Sequence, residues 1–445
     1  MKPAATLALA ALLLSLPAAA APQPAPRPNI LFIVADDMGY ADCGVHGCTD
    51  VPTPNLDALA AGGVRFTNGY VTGAVCSPTR AALMTGRHQL RDGVPDWIPP
   101  GKPGMNPAVP TIADYLKKAG YRSAVVGKWH LGEQDQCHPL NRGFDEFFGF
   151  LGGGRSYFPD PPKPSQGKAD PYTQLVRGRE PVVETEYMTH AFGREAVDFL
   201  TRQRGKDQPF FLYLAFNAVH TPMQAPDDYL HRFASIEDQK RRTYAGMLSA
   251  MDDAIGRVLK TVRDAGIERK TLIAFISDNG GPITRNAPNA SRNTPLRGGK
   301  GETWEGGIRV PYFLKWTGHL KPGTTYDQPV VQMDLMATVL SLAGQQVDPK
   351  WPIDGVDLMP FLAGQMGPPH PTLYWEYGQQ WAIRQGSWKL TFALPGKEAK
   401  TPVLGLFDLT QDIGESRDLS LAHPERVEQL KAVWSDWRKS VGGKF

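Results

Sequence analysis

The chain is poor in cysteine, with only Cys43, Cys48, Cys76 and Cys137 among 445 residues. Four are too few to staple a scaffold, and their spacing matches no zinc site, so the fold must rest on an apolar core. Cys43 and Cys48 are near enough to close a small loop, but sequence alone assigns no pairing for these two or for Cys137. A dominant charge is also missing: 48 Lys and Arg face 45 Asp and Glu, a net +3, with no block of five like charges. That removes the electrostatic basis for nucleic-acid binding, and no nucleic-acid partner is expected. Long apolar runs are confined to the N-terminus, where Lys2 precedes the stretch Ala4 to Leu16 and the small residues Ala18 to Ala21 follow. This pattern reads as an export signal cleaved near Ala21 or Pro22. No other stretch approaches the roughly 20 apolar residues that cross a bilayer, so no membrane anchor is expected and the product should be periplasmic or secreted.

Apolar residues nonetheless make up 41% of the chain, enough for a large core, and 46 Gly with 40 Pro imply many turns and ordered loops. Asn29 to Ala35 (NILFIVA) is a nearly continuous apolar run, as in a strand buried on both faces of a parallel sheet, and it stops at Asp36 and Asp37. Thr53 and Pro54 open a short helix that Gly62 ends, and Ser77 and Pro78 open a second over Thr79 to Gly86, which puts Cys76 beside a helix N-terminus. Thr111 to Ala119 has helical spacing, and Ser123 to Val126 reads as a strand followed by Lys128 and His130. A helix over Tyr187 to Gln203 leads to an apolar strand from Pro209 to Phe216, with His220 beyond it. Gln239 to Ala265 reads as a helix, and Thr271 to Ile276 as a strand ending at Asp278 and Asn279. In open α/β sheets, ligands bind outside the carboxyl ends of the strands, so these four polar clusters should converge on one edge.

The pattern changes past Leu340. Leu373 to Tyr377 and Trp381 to Leu390 read as short strands around Gly378 and Gly386, followed by a helix from Pro424 to Lys439. The expected organisation is a leader over 1–21, an α/β catalytic domain over 22–345 with a large mixed, mostly parallel sheet between helices, and an α+β subdomain over 346–445. That subdomain should carry an antiparallel sheet and a terminal helix. Asp36, Asp37, Asp278 and Asn279 offer hard oxygen ligands, suited to Ca²⁺ in preference to Mg²⁺ and unlike the His and Cys sets of zinc.

The most specific motif is Cys76-Ser77-Pro78-Thr79-Arg80, a C-x-P-x-R pattern that composition would produce roughly 0.02 times by accident. It resembles the signature of the type I sulfatases, formylglycine-dependent members of the alkaline phosphatase superfamily. The stretches NILFIVADDMG (29–39), GKWHLG (127–132), SDNGG (277–281) and 298–311 extend the resemblance over nearly the whole mature chain. It implies hydrolysis of sulfate esters, with Cys76 oxidised to formylglycine by a maturation enzyme during export. It further implies that Asp36, Asp37, Asp278, Asn279 and residue 76 bind Ca²⁺, that Arg80 and Lys128 orient residue 76, and that His130, His220 and Lys300 complete the pocket. The segment from His138 to Tyr157 is similar to galactosamine-6-sulfatase-like and arylsulfatase-like members, so a sulfated carbohydrate is the expected substrate, with Trp97, Arg155, Tyr157 and Trp304 as candidate sugar contacts. Two competing readings are a phosphonate monoester hydrolase or phosphodiesterase of the same superfamily, and a glycan-binding pseudo-sulfatase without catalysis.

Overall fold

The computed structural model describes residues 27–159, 172–283, 288–396 and 398–442, so the leader lies outside the described residues. The Asn29–Ala35 strand is buried along its whole length. It pairs in parallel with Phe210–Ala215 on one side and Thr271–Ser277 on the other. Its side chains alternate between two separate cores: Leu31 and Ile33 pack on one face, and Ile30, Phe32 and Val34 on the other. Burial on both faces is why the run contains no polar residue after Asn29. Arg122–Lys128 and then Glu146–Phe150 continue the parallel set. On the far side Tyr312–Lys315 runs antiparallel to Thr271–Ser277. The whole is a ten-stranded mixed sheet among the described residues.

The helices Met188–Gln203 and Gln239–Asp264 cover one face. Ile112–Lys118 and Met333–Leu342 cover the other. Ile112–Lys118 starts at a capping box in which Thr111 and Asp114 satisfy each other's backbone N–H. A second, four-stranded antiparallel sheet is formed by Thr372–Tyr377, Gln380–Gln385, Trp388–Ala393 and Val403–Asp408. The terminal helix Pro424–Ser440 packs Val427, Leu430 and Trp434 on one face of that sheet. All four cysteines are free thiols, so no bond closes the Cys43–Cys48 loop.

The small sheet is fastened to the short helix Glu305–Ile308 by a buried ion cluster. Lys389 Nζ lies 2.9 Å from Glu305 Oε1 and 2.8 Å from Glu415 Oε1, all three side chains being inaccessible to solvent. Glu305 also accepts from the Tyr70 hydroxyl at 2.6 Å and pairs with Arg309. With two carboxylates sharing one ammonium, burial and the Glu305 charge raise the Glu415 carboxyl to about 7. Its folded value thus exceeds the ordinary 4.5, so its contribution to stability is full below about pH 4.5 and is lost as pH rises through about 7. Glu415→Gln is expected to flatten that part of the curve of melting temperature against pH. An unchanged curve would show that the proton is not held at Glu415.

Candidate active site

The carboxyl ends of the parallel strands are laced together by main-chain bonds. Asp36 N–H donates to Ala218 O at 2.8 Å, Val219 N–H to Asp36 O at 2.7 Å, and Asp278 N–H to Ala35 O at 3.0 Å. These bonds place Asp36, Asp37, His220 and Asp278 side by side although they come from three strands. Asp37 takes a left-handed backbone, φ 62°, which turns its carboxylate toward its neighbours across the strand ends. Its N–H reaches Asp278 Oδ1 at 3.2 Å.

Cys76 arrives on a different element. The helix Cys76–Thr85 begins at the cysteine itself, with every residue buried and Gly86 closing it in the left-handed conformation at φ 65°. Cys76 Sγ lies 3.6 Å from Asp36 Oδ1. One turn on, Arg80 Nε and Nη2 both reach Asp278 Oδ2, at 2.9 and 2.8 Å. Arg80 Nη1 donates to the Lys128 carbonyl at 3.1 Å, while Lys128 Nζ reaches Asp36 Oδ2 at 2.6 Å. Lys300 Nζ contacts both oxygens of Asp37, at 2.7 and 2.9 Å. Three carboxylates and three cations therefore share a buried cluster whose formal charges cancel.

The donor set fits a hard divalent cation. Oxygens of Asp36, Asp37 and Asp278 and the Cys76 sulfur all lie within 4.8 Å of one another. Asn279 donates its Nδ2 to Asp37 Oδ1 at 2.7 Å, and its Oδ1 is buried without a hydrogen-bond partner. A buried acceptor left free costs about 1 to 3 kcal/mol, and facing a cation would remove that cost. Burial and the adjacent Asp278 push Asp36 up to about 7. Asp37 is held down at about 2 by Lys300 and His220 despite its burial.

Above the cluster is a cavity of about 330 Å³ with Cys76, His130, His220 and Lys300 at its base and Trp97, Tyr172 and Tyr377 on its walls. His220 Nε2 lies 3.7 Å from Asp37 Oδ2, and its Nδ1 is 2.6 Å from the Thr221 carbonyl. Burial and Lys300 lower His220 to about 3, and burial with Lys128 and Arg80 lowers His130 well below its ordinary value, shifts that favour the neutral form of each ring. Gly153 seals one side: a Cβ there would lie 2.6 Å from His130 Cε1 and 2.6 Å from Tyr172 Oη. Gly153→Ala is expected to lower kcat by about ten- to a hundredfold by displacing His130, with little change in melting temperature. Wild-type turnover in that variant would show the glycine to be dispensable.

The structure gathers Asp36, Asp37, Cys76, Arg80, Lys128, His130, His220, Asp278, Asn279 and Lys300 at this one edge. The four expected sugar contacts divide. Trp97 is 45% exposed and lines the cavity. Arg155 is buried and donates to the Thr173 carbonyl. Tyr157 is fully buried, its hydroxyl donating to the carbonyls of Asn217 and His220, so it braces the His220 segment instead of meeting a sugar. Trp304 is also buried, its Nε1 donating to Leu394 O at 2.8 Å and its ring lying under Arg297 against the small sheet. Both were expected in the pocket because aromatic residues in loops look alike in sequence whether they pack or bind. Conversely, Tyr172 and Tyr377 line the cavity without a motif to mark them.

Fold and site together define an α/β protein of the alkaline-phosphatase-like type, with a cavity lined by Lys300 and two histidines over a buried cluster of carboxylates. A sulfatase family model matches residues 28–345, and the chain belongs to that family: it is a sulfuric ester hydrolase. It is 37% identical to N-acetylgalactosamine-6-sulfatase of Mus musculus over 84% of this chain and 73% of that protein. Arylsulfatase A of Homo sapiens is 34% identical over 91% of this chain and 87% of its own length. The crystal structure of Ps i-CgsB in complex with k-i-k-neocarrahexaose superposes with a TM-score of 0.86 at 37% identity, covering 92% of each chain. The phosphonate monoester hydrolase of Agrobacterium radiobacter shares the fold, with a TM-score of 0.65 at 20% identity over 93% of this chain and 96% of that one.

Proposed function

We propose that this sulfatase removes sulfate from a carbohydrate, using a formylglycine made from Cys76 and a Ca²⁺ held by Asp36, Asp37, Asp278 and Asn279. The observation that carries this reading is the delivery of Cys76, by the C-x-P-x-R helix, to an acidic cluster that includes an unpartnered Asn279 oxygen. The carbohydrate is supported by N-acetylgalactosamine-6-sulfatase and by the neocarrahexaose complex among the relatives. On this reading residues 22–345 form the catalytic domain of an exported, periplasmic or secreted enzyme, residues 346–445 the smaller subdomain, and a formylglycine-generating enzyme is the maturation partner. No described helix is long and apolar enough to cross a membrane.

A hydrated formylglycine at position 76 would supply two geminal hydroxyls, one to attack sulfur and one whose deprotonation would let sulfate leave, and a divalent cation held by Asp36, Asp37, Asp278 and Asn279 would supply positive charge favouring ionisation of the attacking hydroxyl. Arg80 and Lys128, locked by Asp278 and Asp36, hold residue 76 in place. Lys300 meets the negative charge of the ester. His220, assisted by the charge of Lys300, passes to the leaving alcohol oxygen the proton given up by the attacking hydroxyl. His130 takes the proton of the second hydroxyl. The sum is one ester and one water converted to alcohol, sulfate and a proton. A screen of position-defined sulfated mono- and disaccharides, with phosphonate esters as a parallel arm and mass spectrometry of the residue-76 peptide, tests this. Turnover confined to phosphonates, or an unmodified Cys76 in active protein, would overturn it.

A further inference from the structure

The His130 ring is held more completely than a free base requires. Its backbone is left-handed at φ 57°, and its N–H donates to the Leu151 carbonyl at 3.0 Å. Nε2 lies 3.2 Å from the Ile98 carbonyl and 3.3 Å from the Tyr172 hydroxyl. A carbonyl can only accept, so Nε2 must carry the hydrogen. The lone pair of the neutral ring is then on Nδ1, which is buried and has no hydrogen-bond partner among the described residues. The Tyr172 hydroxyl is also 3.4 Å from the Ile98 carbonyl. It donates there and presents its own lone pair to Nε2–H. The phenol meets the imidazole edge-on, with centroids 6.2 Å apart and planes at 87°.

We propose that Tyr172 is a positioning residue: with the Ile98 carbonyl it fixes His130 as the Nε2–H tautomer, making Nδ1 the atom that accepts the proton when sulfate is released. This rests on the base role given to His130 above. The proton taken up on Nδ1 is an additional one, so the ring becomes an imidazolium and returns that proton to water before the next cycle. His220 is held the opposite way. Its Nδ1 faces the Thr221 carbonyl at 2.6 Å and carries the hydrogen, leaving Nε2 on the Asp37 side. Two main-chain carbonyls thus set two histidines in opposite tautomers, a division that composition and motif spacing do not record.

The test is ¹⁵N NMR of the full-length protein labelled at histidine, with His130→Asn to assign the resonances and Tyr172→Phe as the probe. The expected wild-type spectrum has His130 Nε2 in the protonated range and Nδ1 in the unprotonated range. Tyr172→Phe should move both shifts toward averaged values and lower kcat about five- to tenfold with KM within about twofold, the loss of one hydrogen bond to the ring. A wild-type Nδ1 that carries the hydrogen would overturn the tautomer assignment. Unchanged His130 shifts in Tyr172→Phe, with KM alone raised, would make Tyr172 a substrate contact and overturn its positioning role. Full sulfate release by His130→Asn would instead overturn the base role, a failure readable separately from the spectrum.

Discussion

Cys76→Ala is expected to reduce sulfate release by on the order of 10⁴-fold or more while leaving the fold intact. The substitution deletes one buried sulfur whose near neighbours are the Asp36 carboxylate and the wall of the cavity. The helix that carries it keeps its packing, since Ala82 and Leu83 remain in their cores and the Arg80 pair with Asp278 is unaltered. On the proposed mechanism, what disappears is the group that attacks sulfur and can also let sulfate go. A serine in its place would keep an oxygen nucleophile but, lacking a second hydroxyl on the same carbon, could not expel the sulfate it acquires. Cys76→Ser should therefore turn over no more than about once per molecule. The measurement is sulfate release with circular dichroism and metal content on the same preparations. Activity of Cys76→Ala within tenfold of wild type would rule out residue 76 as the nucleophile. Loss of activity together with loss of the fold would be answered by Cys76→Ser, which differs from the native residue by one atom.

Much of the scaffold was legible because burial on two faces leaves a plain signature. Asn29–Ala35, Phe210–Ala215 and Thr271–Ser277 were each readable as apolar runs ending in polar residues, to within a residue or two at each end. The strand Glu146–Phe150, at the edge of the parallel set, has a glycine and a single charged residue, and Val403–Asp408 is short and flanked by turns, so neither announced itself. The helix that bears Cys76 starts three residues earlier than Ser77 and Pro78 suggested, because Pro78 occupies its first turn, where no backbone N–H is needed. At the site, identities were readable but orientation was not. The left-handed backbone at Asp37 and His130 is fixed by contacts from remote segments. Tyr157 and Trp304 differ from Trp97 only in what the fold lays over them.

Asp278→Ala is expected to abolish cation binding and to destabilise the protein by about 3 to 5 kcal/mol, two effects with separable causes. Among the described residues Asp278 is the sole partner of both Arg80 Nε and Nη2 at hydrogen-bonding distance, and both side chains are inaccessible to solvent. Removing the carboxylate leaves a buried guanidinium uncompensated, since Asp36 lies 3.9 Å away and is already engaged by Lys128 at 2.6 Å. The same substitution takes one of the three carboxylates proposed as ligands from a cluster whose charges otherwise cancel, tilting it to a net positive charge that repels a divalent cation. Asp278→Asn separates the two effects. The amide keeps one oxygen, which can accept from Arg80 at the Oδ2 position, while its NH2 then faces the Asp37 N–H at the Oδ1 position, so part of the stability should return, whereas the lost charge should still weaken the cation. Elemental analysis and melting temperatures with and without chelator read the two outcomes independently. Stoichiometric metal in Asp278→Ala would remove this residue from the ligand set, and an unchanged melting temperature would show that Arg80 finds another anion.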